Sequence, residues 1–468
     1  MTPLTTSTSA AQPEALGIRQ RLALFVLLTA SFTLAVDFSI LNVALPRIGA
    51  EVGFGLADLQ WIATSFAVCA AGFTLFFGRL ADLFGRRRQF LVGIALLGVA
   101  SLVGGLAGEP WVLIVARVAQ GIATAAVTPA ALSLLTTSFP EGRLRDCALG
   151  LNGAIMAAGF TTGAVLGGLL TDLVSWRWAF FVNVIVAVVV LAIAPAVLRE
   201  TRADERPRLD LVGAITVTLA LAAAVFGLTQ ASEHSWADAR SWGALTFAAV
   251  MVVAFVLTER VVRDPLVPLA VLRRRTTAWG NLAGVIAFAT ETSVVFLLTL
   301  YLQNVRGFSP LQAGLVFAVL GAGTVIGGLV APRAIARIGA TRAIVAGLVV
   351  QAAATLSLAF LDQFSGWLVV VLVGTFIGGV ANLVAIVGFM VTATTGIRDQ
   401  EQGLATGIAT MSQQIGITVG TPVMSAIVAA SAAVAAGVSA ALVVNAAICV
   451  GAAVAVGLAL RIRQSPRR

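Results

Sequence analysis

Gly78-Arg79-Leu80-Ala81-Asp82-Leu83-Phe84-Gly85-Arg86-Arg87-Arg88 lies between two long apolar runs. So many arginines in so short a connection are costly to carry across a bilayer, and such loops stay on the cytoplasmic side by the positive-inside bias. The stretch therefore predicts a membrane protein and orients it. Its other residues carry mechanics: Gly78 permits another helix to approach, Asp82 can accept from arginines or a helix N-terminus, and Gly85 allows a tight reversal. An ordinary basic stop-transfer loop would explain the arginines but not Gly78, Leu80, Asp82 and Gly85 together.

Composition agrees. The 468 residues are 59% hydrophobic and 11% charged, with 46 glycines, which is more apolar surface than a soluble core of this length can hide. The net charge of +9 raises the question of nucleic acid. Every basic residue is arginine, as a GC-rich bacterial genome would give, and about 25 of the 30 fall in segments assigned to the cytoplasm once spans are placed by hydropathy. That asymmetry is a topogenic signal, and no nucleic-acid partner is implied. Cys69, Cys147 and Cys449 show no CxxC spacing, so neither a disulfide framework nor a metal site is expected. The polar N-terminal stretch, with Arg19 and Arg21 before the first span, reads as a cytoplasmic tail rather than a cleaved signal.

Runs of about 18 to 25 apolar residues, enough to cross a core of about 30 Å, begin near Leu22, Leu59, Phe90, Trp111, Ala148 and Ala179. Two more cover roughly 211–230 and 242–258, and a further six begin near Thr277, Gln312, Ile344, Trp367, Gly403 and Ala440. The expectation is an all-α, polytopic membrane protein of fourteen transmembrane helices: two pseudo-symmetric six-helix bundles, two inserted helices and a central cavity. It divides into a tail (1–21), an N-terminal bundle (22–198), the inserted pair with its linkers (199–275), a C-terminal bundle (276–460) and a second tail (461–468). Both termini are expected in the cytoplasm, because Arg461, Arg463, Arg467 and Arg468 follow the last span and most tryptophans fall at outer interfaces.

The block from Gly78 to Arg88 resembles the loop between helices 2 and 3 of the major facilitator superfamily, and nearly the whole chain resembles its fourteen-helix drug:proton antiporters. Asp37 precedes Leu41-Asn42-Val43-Ala44-Leu45-Pro46, similar to the family's helix 1 signature. Arg117, Gln120 and Gly121 match that of helix 4, and Gly153, Gly159, Gly163, Gly167 and Gly168 match the glycine-rich helix 5 of antiporters. Ala164, Ile185 and Ala318 replace prolines common in the family, which puts the proline kink of helix 5 in question. Gly159, Gly163 and Gly167 still form one smooth face, suited equally to plain packing and to gating.

Charged side chains at a span centre cost about 2.5 to 3.5 kcal/mol each, so each calls for a partner, water or a function. Asp37, Arg117 and Glu291 qualify. Asp37 lies roughly 13 Å and Arg117 roughly 9 Å below the outer ends of their helices at 1.5 Å rise per residue, close enough to pair. Arg117 would hold Asp37 ionised, and withdrawal of the arginine would favour protonation: a proton switch, with a static ion pair as the alternative. The resemblance likewise implies coupling roles for these two. Glu291, in the span corresponding to the first, is placed to face Asp37 across the cavity, either binding a cation or carrying a second proton, with a water-exposed glutamate near the outer rim as the alternative. Asn42, Gln120, Asn281, Asn382, Gln413 and Gln414 are candidate cavity residues or helix glue.

With 25 phenylalanines and one tyrosine, a pocket here would hold large lipophilic molecules with few directed hydrogen bonds. No Walker A, HExxH or GxSxG sequence occurs, so neither an ATPase nor a hydrolase is expected, and the energy source is a proton gradient rather than a cofactor. The expected function is proton-coupled export of lipophilic, cation-tolerant drugs or antibiotics by a monomer in a bacterial plasma membrane. Its partners are lipid, protons and the small substrate. A transporter of one metabolite and a non-transporting sensor are the alternatives. Asp82, Gly78, Gly85 and Arg86 are expected to form a cytoplasmic latch.

Overall fold

A computed structural model describes residues 17–461, apart from 42, 56–57, 140–142, 201–209, 234–237, 263–264, 268, 361–365 and 396–401. Described residues form helices and their connections: α1 (Ile18–Ile40), α2 (Leu45–Val52), α3 (Gln60–Phe84), α4 (Arg86–Leu106), α5 (Pro110–Ser138), α6 (Arg143–Leu173), α7 (Trp178–Val197), α8 (Leu211–Glu233), α9 (Ala239–Val261), α10 (Leu269–Leu272), α11 (Arg275–Leu300), α12 (Pro310–Ile338), α13 (Ala340–Leu358), α14 (Trp367–Thr394), α15 (Gln402–Ala429) and α16 (Val434–Arg461). Lipid offers no partner for backbone N–H and C=O groups, so apolar segments close their hydrogen bonds internally as helices. Eleven of these are long and apolar enough to cross a membrane, making this a multi-pass protein. The others of comparable length, α3, α6 and α15, have 25, 31 and 28 residues.

Their ends follow local chemistry. Pro110 and Pro310 open α5 and α12, where a missing N–H costs nothing. Ser309 and Gln312 make a reciprocal capping box on α12, with bonds of 3.3 and 2.9 Å. Gly85 (φ 106°) and Gly339 (φ 84°) turn the chain between α3 and α4 and between α12 and α13, in the two basic loops. Two features lay outside the apolar pattern: the short α2, which buries Leu45, Ile48, Gly49 and Val52, and a π-helical turn at Tyr301–Val305 ending α11.

Packing sorts the helices into two groups. In the first, α1 packs on α6 and α7, α3 on α5, and α4 on α5 and α7; in the second, α11 packs on α15 and α16, α12 on α14, and α13 on α14 and α16. The groups meet where α6 lies on α12 and α3 on α15. The inserted α8 packs on α9 but also on α3 and α15, so it covers one seam between the groups, while α9 is mostly exposed to the surroundings. One end of the molecule, the distal end, carries α2 and the connections at 174–177 and 306–309; the proximal end carries Gly85, Glu200 and Pro265.

Candidate functional site

Asp37 on α1 and Arg117 on α5 meet inside the first group, each 1% exposed, with Arg117 Nη1 3.1 Å from Asp37 Oδ2. The guanidinium has further partners: Nε donates to Ile62 O at 2.8 Å, Nη1 also donates to Gln120 Oε1 at 2.9 Å, and the Phe66 ring lies 4.3 Å beneath it. The carboxylate is equally engaged. Its Oδ1 accepts from Gln120 Nε2 at 3.2 Å and from Asn183 Nδ2 on α7, while Gln120 Nε2 also donates to Ser101 Oγ on α4 at 2.8 Å. A charge pair this deep is tolerable only when both members are paired and hydrogen-bonded. Removing either partner would leave the other as a buried, uncompensated charge, the condition under which a carboxylate takes a proton.

Sequence reasoning placed Asp37 and Arg117 together; Gln120, expected as a cavity residue or helix glue, joins them. It assigned no role to Asn183 and did not single out Ser101, a small polar residue in an apolar run, which carries no distinguishing signal. It also expected Glu291 to face Asp37. In the structure Asp37 turns into its own group, and Glu291, half-buried on α11, shares a cavity between the groups with Ser39 and Phe160. The reason is that α5 and α7 supply every donor to Asp37, so Ser39, two residues on, takes the facing position.

Around the inter-group cavity the glycine face of α6 lies against α1. A Cβ on Gly159 would come within 2.8 Å of Phe32 O, and one on Gly163 within 2.7 Å of Val36 O, with Gly167 closer still to Ile40 O. Ser39 Oγ donates to Phe160 O at 2.6 Å across this seam. Gly168 continues the contact to Pro310 O on α12. Asn281 and Asn382 are buried, Gln413 and Gln414 half-buried on α15, and Asn42 lies outside the described residues.

At the proximal end, the side chain of Asp82 lies outside the described residues. The described acid at the α4 N-terminus is Glu200, which follows α7. Its carboxylate accepts from Arg87 N at 3.1 Å and Arg88 N at 3.2 Å and occupies the space a Cβ on Gly85 would need. Arg87 Nη2 donates to Pro195 O at 2.6 Å, and Arg79 Nη2 to Pro265 O at 3.0 Å. Arg87 thus ties the start of α4 to the end of α7, and Arg79 ties α3 to the linker after α9. Gly78 lies 3.7 Å, from a built Cβ, to Pro129 of α5.

The geometry is that of a helical, multi-pass protein with a buried ion pair. The Major Facilitator Superfamily matches residues 27–421 and 282–468. A cephamycin export protein of Amycolatopsis lactamdurans is 37% identical, covering 87% of this chain and 85% of its own. A puromycin resistance protein of Streptomyces alboniger is 34% identical (86% and 81%), and a tetracenomycin C resistance and export protein of Streptomyces glaucescens 32% (85% and 73%). The fold is shared with the human organic anion transporter MFSD10, with a TM-score of 0.62 at 14% identity over 95% of this chain and 100% of the other. A match over nearly the full length, with relatives so similar, settles the family: the chain belongs to the major facilitator superfamily and is a membrane transporter, not an enzyme.

Proposed function

We propose that the protein exports lipophilic antibiotics or drugs, including cationic ones, in exchange for protons, by alternating access in a bacterial inner membrane. The observation that carries this reading is the fully engaged Asp37–Arg117 pair, a carboxylate whose ionised form depends on donors from α5 and α7. Movement of those helices would strip the donors away and make protonation favourable. The export and resistance functions of the relatives support the substrate class.

In this reading α3, α6 and α15 also cross the membrane, giving fourteen spans. The matching sets of packed pairs support two related six-helix bundles, 22–198 and 276–460, with 199–275 inserted between them. Both tails, 1–21 and 461–468, lie in the cytoplasm, so the distal end faces out. Glu291 offers a second carboxylate to protons or cationic cargo, and the proximal loop with Gly78, Asp82, Gly85 and Arg86 works as a latch. The molecule acts as a monomer and uses the proton gradient, at about 2.3 kcal/mol per charge per 100 mV, with no cofactor.

Inverted vesicles holding a pH gradient test the proposal. Adding ethidium should collapse the gradient in the parent and leave it intact in Asp37→Asn. No response to any lipophilic cation would replace it with transport of one narrow metabolite, and an unchanged response in Asp37→Asn would remove Asp37 from the coupling path.

A further inference from the structure

The second helix group contains its own buried polar cluster. Gln351 Nε2 on α13 donates to Thr290 Oγ1 on α11 at 3.0 Å, and Asn445 Nδ2 on α16 donates to Thr290 O at 3.1 Å. Asn382 Nδ2 on α14 donates to Ala287 O at 2.9 Å and to Gln351 Oε1 at 3.2 Å. These bonds fix the orientation of the Asn382 amide, because reversing it would set its oxygen against two other oxygens. The nitrogen is committed to protein. The oxygen is not: Asn382 is 1% exposed, yet its Oδ1 has no hydrogen-bond partner among the described residues.

Asn382 lines a cavity within this group together with Glu291, Gln351, Thr355 and Thr375. Thr375 Oγ1 donates to Val371 O at 2.7 Å, which leaves its lone pairs for another use. The chamber therefore presents a carboxylate and neutral oxygens from α11, α13 and α14. An acceptor-rich lining of this kind suits a hard cation whose hydration shell the oxygens replace. The space is of the order of one water molecule, far below a drug. A single carboxylate balances one positive charge, and a proton alone would engage one acceptor and leave the others unserved.

We propose that Glu291, Asn382, Thr355 and Thr375 form a binding site for a dehydrated monovalent metal cation, Na+. Glu291 also lines the cavity between the helix groups, so the ion reaches the chamber from the transport path. The site builds on the exporter reading only in taking that cavity as the path, and it makes Na+ a competitor of protons at Glu291.

The test is binding of 22Na+ to the full-length protein in nanodiscs, with thermal unfolding followed in parallel. Saturable binding is expected in the parent and in Asp37→Asn, none in Glu291→Gln, and binding weakened about tenfold or more in Asn382→Leu. Should Glu291→Gln fail to fold, Thr355→Val, which exchanges one oxygen for a methyl of the same shape, is expected to weaken binding similarly. Absence of Na+ binding in a parent that exchanges ethidium for protons overturns the site and leaves the exporter standing. Binding that survives Glu291→Gln also overturns it. Na+ binding in a protein that moves no drug overturns the exporter reading and leaves the site.

Discussion

At the scale of single residues, the question is whether Asp37 and Arg117 act as a switch or as a brace. Truncating one partner of a buried ion pair strands the other, at a cost of about 3 to 5 kcal/mol, whereas replacing both by neutral groups of similar shape is close to neutral. Arg117→Leu should therefore lower the thermal unfolding temperature in nanodiscs, and Asp37→Asn combined with Arg117→Leu should restore most of it. A brace predicts that the restored double variant transports. A switch predicts a stable protein without drug-driven proton release, and that is the expected outcome. The pair was legible in the sequence because a charge inside an apolar run stands out against its surroundings. Its supporting donors were not, since Ser101 and Asn183 differ from helix-packing polar residues only in what they touch. Glu291 stood out for the same reason as Asp37, but which way it faces depends on helix rotation, which hydropathy does not encode.

At the scale of elements, the starts of the long helices were readable to within about six residues, because lipid leaves an apolar segment few options besides a helix. The short α2 was hidden by its length, and the loop after α3 shows a subtler limit. The side chain of Asp82, expected to anchor it, lies outside the described residues, and the described acid at the α4 N-terminus is Glu200, more than a hundred positions away, a contact that no local pattern reveals. A carboxylate accepting two N–H groups at a positive helix end stabilises it by up to about 2 kcal/mol. Glu200→Gln keeps the shape and weakens this, and is expected to slow ethidium-driven proton release with expression unchanged. Gly85→Ala should be more severe, because the added methyl enters the space of the Glu200 carboxylate at a φ of 106°. Equal transport by parent and Gly85→Ala would show that this contact does not constrain the cycle. Asp210 makes a similar but separate cap on α8, accepting from Gly213 N at 2.7 Å, so Asp210→Ala should lower stability by about 1 kcal/mol.

At the scale of the whole molecule, the bonds described between the two helix groups lie at the distal end. Asp172, near the end of α6, accepts from Leu311 N at 3.2 Å in the first turn of α12, and its other oxygen lies 3.8 Å from Arg47. Gln303 Nε2 reaches Val43 O at 3.0 Å, and Gly168 lets the backbone of α12 close against α6. Opening the distal end must break the Asp172–Leu311, Gln303–Val43 and Gly168–Pro310 contacts while the glycine face of α6 keeps its hold on α1, so α1 and α6 should move as one body. Hydrogen bonds to a charged group contribute about 1.5 to 3 kcal/mol each, and losing one from the closed state alone shifts the closed-to-open ratio by about tenfold or more. Asp172→Ala is thus expected to raise the population open at the distal end. In a background with the native cysteines replaced, Thr324→Cys, which lines the inter-group cavity, reports this, in the proposed orientation, as faster labelling by an impermeant maleimide from the outer side. Faster labelling confined to the Asp172 variant, reversed on adding Glu at the same position, would assign the closure to the carboxylate. Unchanged labelling would mean that packing of α6 on α12, rather than the Asp172 contacts, holds the distal end shut.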